Sequence, residues 1–287
     1  MSMRGLAPAK INLMLHVGPV ADDGYHPLTS LVAFADVGDQ ITVEASERLS
    51  LEITGPFAGA LTGEGDNLIL KGLRALGEMA EVGEPKVKVR LDKQLPIAAG
   101  LGGGSSDAGT AILLTTHLLG LDIDKAALED VAGVVGADGP MCLRARAAWA
   151  TGRGDVLKDE PRLPSLHAVL LNPGLPSPTG AVYREYDRAP VSEACDTRPE
   201  DWSVMGIIDW LKGQRNDLEA PALRVTPGIA EAMDAMAAAP DCLLARMSGS
   251  GATVFGLFAD QAAAARAAHA LNRPGWWVRA TVLNPKG

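Results

Sequence analysis

Three stretches carry residues whose types and spacing could do chemistry. Leu95 to Gly109, LPIAAGLGGGSSDAG, sets a dense glycine run before Ser105, Ser106 and Asp107. Lys10 and Asn12, in KINLMLHVG, stand two apart in an alternating segment and share one face of a strand. Asp138 lies in GADGP, ahead of Gly139 and Pro140. The glycine run could be a linker, a tight turn or an anion cradle. A strand on one side and a periodic helix on the other exclude the linker. A strand-to-helix turn needs one or two glycines, because each further one costs backbone entropy on folding. The surplus fits a backbone that must come close to a ligand. Free N–H groups and the dipole at a helix start favour an anion such as phosphate. On residue types alone, plainer readings stand beside these. Asp138 before Gly-Pro is a turn former, Lys10 a surface lysine, Tyr25 and His26 loop residues, and Ser248 and Ser250 hairpin formers.

The familiar phosphate loops do not match. No G-x-x-x-x-G-K-[ST] occurs. GLGGGS lacks the third glycine of the dinucleotide fingerprint. Neither Ser105 nor Ser106 lies in G-x-S-x-G, so no nucleophile elbow is present.

The elements that must position these residues follow from periodicity. KINLMLHVG predicts a half-buried strand with Ile11, Leu13, Leu15 and Val17 inward and Lys10, Asn12, Met14 and His16 on the other face. ITVEA, LEIT and KVKVRL predict further strands, and DDGYHPL a turn. DNLILKGLRALGEMA predicts a helix on Ile69, Leu73, Leu76 and Ala80, capped by Asp66 or Asn67. After the glycine run, Ala108, Ala111, Ile112, Thr115, Leu118 and Leu119 line a helix that Gly120 ends, with Ser105, Ser106 and Asp107 as caps. A helix is expected from Asp124 to Val135, and Asp138 falls in the tight turn after it. Further on, AVLLNPG, ATVFGLF and WVRATVL predict strands. SPTGAVYREYD predicts a short helix capped by Thr179, TPGIAEAMDAMAAA one with Pro227 in its first turn, and QAAAARAAHALN a third. Residues 188–203 read as a surface excursion. Strands and helices without regular βαβ spacing indicate α+β in two halves, cut as 1–155 and 156–287, with a return of the last strand to the first domain left open.

Composition bounds the class. The chain has 287 residues, 47% hydrophobic and 21% charged, which is ordinary for a globular protein. Net charge is −9, from 26 basic and 35 acidic residues, which argues against a nucleic-acid binder. Cys142, Cys195 and Cys242 are far apart and form no C-x-x-C pair, which fits a reducing compartment. No signal peptide or membrane span is expected, so the location expected is cytoplasmic.

LPIAAGLGGGSSDAG resembles the second motif of the GHMP small-molecule kinases, P-x-x-x-G-L-[GS]-[GS]-S-x-[AS]. PAKINLMLHV (Pro8 to Val17) resembles the first motif, and RMSGSGATVF (Arg246 to Phe255) the third. The order is the family's, and the resemblance covers nearly the full length, least at 188–240. The triple glycine with DDGYHPL, DNLI, GADGP and NPGLPSPT narrows it to the members whose substrate is a cytidyl diphosphate polyol. The resemblance implies an N-terminal ATP domain like ribosomal protein S5 and a ferredoxin-like C-terminal domain. It implies ATP and Mg2+, with transfer of the γ-phosphate to a substrate hydroxyl, by a monomer or homodimer that meets neither nucleic acid nor membrane.

The resemblance also assigns residues. Asp138 takes the hydroxyl proton, with Lys10 beside it. Pro96, Ile97, Ala98, Ala99, Gly100, Leu101, Gly102, Gly103, Gly104, Ser105 and Ser106 bind ATP phosphates, and Asn67, Leu68 and Lys93 lie near the adenine. Tyr25 and His26 hold the cytosine, with Tyr183 stacking on it. Asn12, Thr179, Gly249 and Ser250 meet the substrate. His16 and His117 are structural. The family pattern implies a small apolar residue at 139, and Gly139 is expected to loosen the turn that aims Asp138. The chemistry agrees, since phosphoryl transfer asks mainly for positioning and charge stabilisation. A lysine can keep a neighbouring carboxylate ionised and offset charge on the moving group.

Overall fold

Alternation at the N-terminus extends further than KINLMLHV. The computed structural model describes residues 2–61, 67–191 and 198–286. In it β1 runs Ser2–Val17 and β2 Leu28–Ala45, of which ITVEA is only the end. From Ala7 to Val17 every residue of β1 is buried, so the expected half-buried strand is corrected. The polar face is covered too, because Ser30 and Ser248 hydrogen-bond Asn12 there.

The chain divides into two compact units that alternate along the sequence. One holds the residues up to Ala9, Gly38–Ile97 and Gly102–Ala145; the other holds Lys10–Val37, Ala98–Leu101 and Arg146 onward.

In the first unit, the Gln40–Ala45 end of β2 pairs antiparallel with β4 (Val87–Asp92), and β3 (Ser50–Thr54) pairs parallel to β4. Four helices pack there: α1 (Leu68–Met79), α2 (Gly103–Leu119), α3 (Lys125–Gly133) and α4 (Gly139–Arg144). Ile41, Val43, Val89 and Leu91 of the strands meet Ile69, Leu73 and Leu76 of α1 and Ala111 and Ile112 of α2 in one core. Asn67 caps α1 by accepting the Ile69 N–H at 2.9 Å; Asp66, the other expected cap, lies outside the described residues. Asp124 caps α3 likewise. The α4 helix was not expected, since Pro140 in its first turn favours helix initiation but reads locally as a turn signal.

In the second unit, β5 (Ala148–Thr151) pairs with β2 and with β6 (Val156–Asp159). An antiparallel set follows the order β10 (Trp277–Leu283), β7 (Leu166–Asn172), β9 (Val254–Phe258), β8 (Leu244–Met247). The last strand reaches β2 at Leu283 opposite Ala35. The helices are α5 (Thr179–Tyr186), α6 (Val204–Lys212), α7 (Glu219–Val225), α8 (Ile229–Ala237) and α9 (Gln261–Leu271). Thr179 is the first helical residue of α5 and Pro178 holds the cap position, so Thr179 is not the expected cap. Pro227 stands before Gly228, the α8 cap, and outside the first turn. Residues 192–197 of the expected excursion, Cys195 included, lie outside the described residues.

Candidate active site

The three motifs come together in the second unit through the backbone. Lys10 N–H donates to Leu101 O at 2.8 Å, and Thr253 N–H to Ala99 O at 3.1 Å. Asn12 N–H donates to Ser248 Oγ at 3.2 Å, and that hydroxyl donates to Gly100 O at 3.0 Å. The approach is too close for a side chain at position 100, where a Cβ would sit 2.2 Å from Ser248 O. Here the glycine surplus has a physical cause. Positive φ recurs at alternate residues, Ala98 (51°), Gly100 (73°) and Gly102 (61°). Such alternation turns N–H groups into an anion-binding concavity.

Lys10 and Asn12 share a face and interact directly. Lys10 Nζ donates to Asn12 Oδ1 at 2.9 Å, Asn12 Nδ2 donates to Ser30 Oγ at 2.8 Å, and Ser30 Oγ donates to Met14 O at 2.6 Å. This donor chain fixes which way the Asn12 amide points. Both side chains are buried, so Lys10 is not a surface lysine.

The third motif is held by residues that sequence reasoning did not single out. Asn216 Nδ2 donates to Met247 O (2.9 Å) and Gly249 O (2.8 Å), while Glu219 Oε2 accepts the Met247 N–H. Arg246 is buried and donates to Leu13 O, Leu211 O and Gln214 O, tying β1 to the last turn of α6. Burial holds its guanidinium below the usual arginine range. Asn216 Oδ1 accepts the Leu218 N–H two residues on, which reads as a local turn, while the carbonyls it clamps lie far along the chain and leave no local signal.

Thr179 and Ser250 hydroxyls meet at 2.8 Å, and Ser177 Oγ donates to Ser250 O. Tyr183 lies four residues after Thr179, on the same face of α5. Its ring packs against His26, with centroids 4.9 Å apart, and His26 Nε2 meets Asp187 Oδ1 at 2.6 Å. Asp187 continues the same helical spacing, the signal by which it could have been found. Tyr25 is exposed, and the Arg153 guanidinium lies over its ring at 4.1 Å, paired with Asp23. The structure thus brings together His26 with Tyr183, Thr179 with Ser250, and Lys10 with Asn12.

In the first unit Gly102 holds the N-cap position of α2, and no side chain caps the helix. Ser105, Ser106 and Asp107 are therefore not the expected caps. The helix starts inside the glycine run and carries them into its first turns. Ser106 Oγ donates to Pro8 O instead. Ser106 N–H bonds Gly102 O at 2.9 Å, the first turn of the helix ladder. N–H donors without a capping side chain and glycines without Cβ suit a phosphate, and they do not suit a cation. A Cβ on Gly104 would lie 3.1 Å from Leu68, and one on Gly103 would lie 3.1 Å from Lys93 Nζ. Lys93 is buried between Asp39 (2.5 Å) and Asp107 (2.7 Å). Burial alone would lower its ammonium, but the two carboxylates outweigh that and raise it. Asp138 holds the N-cap position of α4 without capping it through its side chain. A Cβ on Gly139 would lie 1.9 Å from Ala132 O of α3. Gly139 therefore lets α4 abut α3 and tightens this turn, the opposite of the loosening expected.

The model for "GHMP kinases N terminal domain" matches residues 67–145, and that for "GHMP kinases C terminal" matches 207–275. The chain is similar to a protein of Caulobacter vibrioides (strain NA1000 / CB15N) named 4-diphosphocytidyl-2-C-methyl-D-erythritol kinase. Identity is 47% over 285 residues, covering 97% of this chain and 98% of the relative. The protein of that name from Methylobacterium radiotolerans is 47% identical, covering 96% and 97%. A crystal structure of 4-(cytidine 5'-diphospho)-2C-methyl-D-erythritol kinase matches at TM-score 0.78 and 36% identity, over 99% of this chain and 100% of the other. Homoserine kinase from Cytophaga hutchinsonii matches at TM-score 0.68 and 17% identity over 99% and 95%, which shows a shared fold.

Proposed function

The chain belongs to the GHMP kinase family, and from that premise we propose how its residues divide the work. It is an ATP-dependent kinase that phosphorylates the 2-hydroxyl of 4-diphosphocytidyl-2-C-methyl-D-erythritol, in non-mevalonate isoprenoid synthesis. The observation that carries this is 47% identity to kinases of that name along nearly both whole chains.

In the transfer, the substrate oxygen forms a bond to the γ-phosphorus while the bond to the β,γ-bridging oxygen breaks and ADP leaves. Asp138 takes the proton from the attacking hydroxyl. Lys10 offsets charge on the moving group, with the Asn12 amide setting its direction. The amides of Gly100 to Ser106 hold the phosphates, flanked by Pro96 to Ala99, and Asn67 and Leu68 line the adenine side, with the Lys93 side chain buried between Asp39 and Asp107. The α2 start offers N–H donors for phosphate oxygens, and Mg2+ held by the ATP phosphates would supply neutralisation of their charge. His26 and Tyr183, whose rings already pack at a tilt, hold the cytosine with Tyr25. Thr179, Gly249 and Ser250 meet the polyol. Cytidine 5'-diphosphate titrated into the wild type and into Tyr183→Ala tests the substrate side. A dissociation constant raised about fivefold or more by the variant is expected, from a lost stack of about 1–3 kcal/mol. Equal affinity contradicts the assignment.

A further inference from the structure

We propose that Asp107 is a positioning residue whose proton is coupled to the anion at the start of α2, so that phosphate binds there with uptake of a proton. The inference rests on the phosphate-binding reading of Gly103 to Ser106.

The geometry separates the two carboxylates around Lys93. Asp39 Oδ1 accepts the N–H groups of Gln94 (2.6 Å) and Leu95 (2.8 Å), and its Oδ2 accepts from Lys93. Three donors converge on it, as an ionised carboxylate requires. Asp107 Oδ2 accepts from Lys93, its carboxyl also meets that of Asp39, and its Oδ1 is buried without a hydrogen-bond partner. One ammonium cannot neutralise two buried carboxylates, and an uncompensated buried charge is costly. The proton therefore belongs on Asp107. Burial pushes its carboxyl up to about 8, with Asp39 adding to the rise and Lys93 opposing it. Lys93 and Asp39 are the charged groups that act on it. The helices against α2 contribute apolar residues such as Ile69, Leu128 and Leu143, and Arg144 of α4 pairs with Glu129 of α3.

Protonated, the cluster is neutral; ionised, it carries one negative charge. Lys93 Nζ lies 3.1 Å from where a Cβ on Gly103, the first residue of α2, would stand. The cluster's charge is thus set under the N–H groups that would face a phosphate. A negative cluster opposes an anion there, and an anion opposes ionisation of Asp107. The coupling is reciprocal, and such couplings are commonly 5–150-fold.

Calorimetric titration of Mg-ATP into the protein, in two buffers of different ionisation enthalpy, counts protons at pH 7.5 and 8.5. The wild type is expected to take up more protons than Asp107→Asn, and to lose affinity about fivefold or more from pH 7 to pH 9. Asp107→Asn should show neither. Equal proton counts, or no loss of wild-type affinity with pH, overturn the inference. If Asp107→Asn does not fold, the carboxyl carbon of Asp107 is titrated by NMR in the wild type. A midpoint raised by ATP supports the coupling, and an unmoved midpoint overturns it. Binding of ATP without proton coupling sinks only this inference, whereas absence of ATP binding sinks the phosphate reading beneath it.

Discussion

Replacing Gly139 by alanine tests whether the close contact of α3 and α4 aims Asp138. The new Cβ would stand 1.9 Å from Ala132 O and 2.7 Å from its carbonyl carbon, where ordinary contact begins near 3.4 Å. The obstacle is backbone, and Ala132 O already accepts the Val135 N–H at 3.1 Å. One helix must move by more than an ångström. Overpacking of this kind costs about 1–3 kcal/mol. In a chain of this size that lowers the melting temperature by roughly 4–8 °C for the middle of the range. Asp138 is the preceding residue and moves with the turn, and a misplacement of about 1 Å in catalytic geometry costs on the order of 100-fold. Gly133→Ala is the control, because nothing lies within 4 Å of a Cβ there. Melting temperature and initial rate of ADP release are measured for both variants. If Gly139→Ala melts and turns over like Gly133→Ala, the packing argument is refuted.

Asp107 carries a sign for stability as well. Its carboxyl is raised from 3.8 to about 8 on folding, so the native state binds the extra proton between those values. The stability that this proton supplies falls as pH rises across that window, by up to about 1.4 kcal/mol per pH unit, and is flat above it. Denaturant unfolding of wild type and Asp107→Asn from pH 6 to 9 should give a difference that falls towards pH 8; a constant difference contradicts it. Asn216→Asp puts a carboxylate against Met247 O and Gly249 O and should cost about 2–4 kcal/mol, read by the same unfolding; a loss under about 1 kcal/mol removes Asn216 as the clamp of the third motif. Asn67→Ala removes the α1 cap and should cost about 1 kcal/mol, which Asn67→Ser should largely restore; equal losses in the two would show that capping is not the cause.

Elements with a clean period were legible. Helix α1 and the strands at 87–92 and 277–283 alternate or repeat as their burial demands, whereas the helix after the glycine run was legible as a helix but not as one face, since it is buried without a break from Ser106 to Ile112 and leaves Leu119 exposed. The first half of β2 was not, because Leu31 to Ala35 is buried on both faces and shows no alternation. At nine and seven residues α6 and α7 are too short to show a sustained period, and Gly139-Pro140 reads as a turn while it begins α4. The interleaving of the two units leaves no compositional trace, since no linker separates Ala9 from Lys10 within β1. The chemistry-bearing residues were legible as three motifs, and Lys10 with Asn12 as one face. Their supports were not. Asp39, Ser30 and Asn216 act through contacts distant in sequence, and the start of α2 at Gly102 depends on a positive φ that composition allows without placing.

The central claim is a phosphoryl transfer to one cytidyl-linked substrate with Asp138 as base. Its most direct measurement is the initial rate of ADP release with 4-diphosphocytidyl-2-C-methyl-D-erythritol, set beside homoserine and mevalonate, for wild type and for Asp138→Ala. The account predicts turnover with the first substrate alone, and its loss by about 100-fold or more in the folded variant, within the range for a positioned general base. Turnover with homoserine or mevalonate but not the cytidyl substrate, or near-normal turnover in Asp138→Ala, would contradict it.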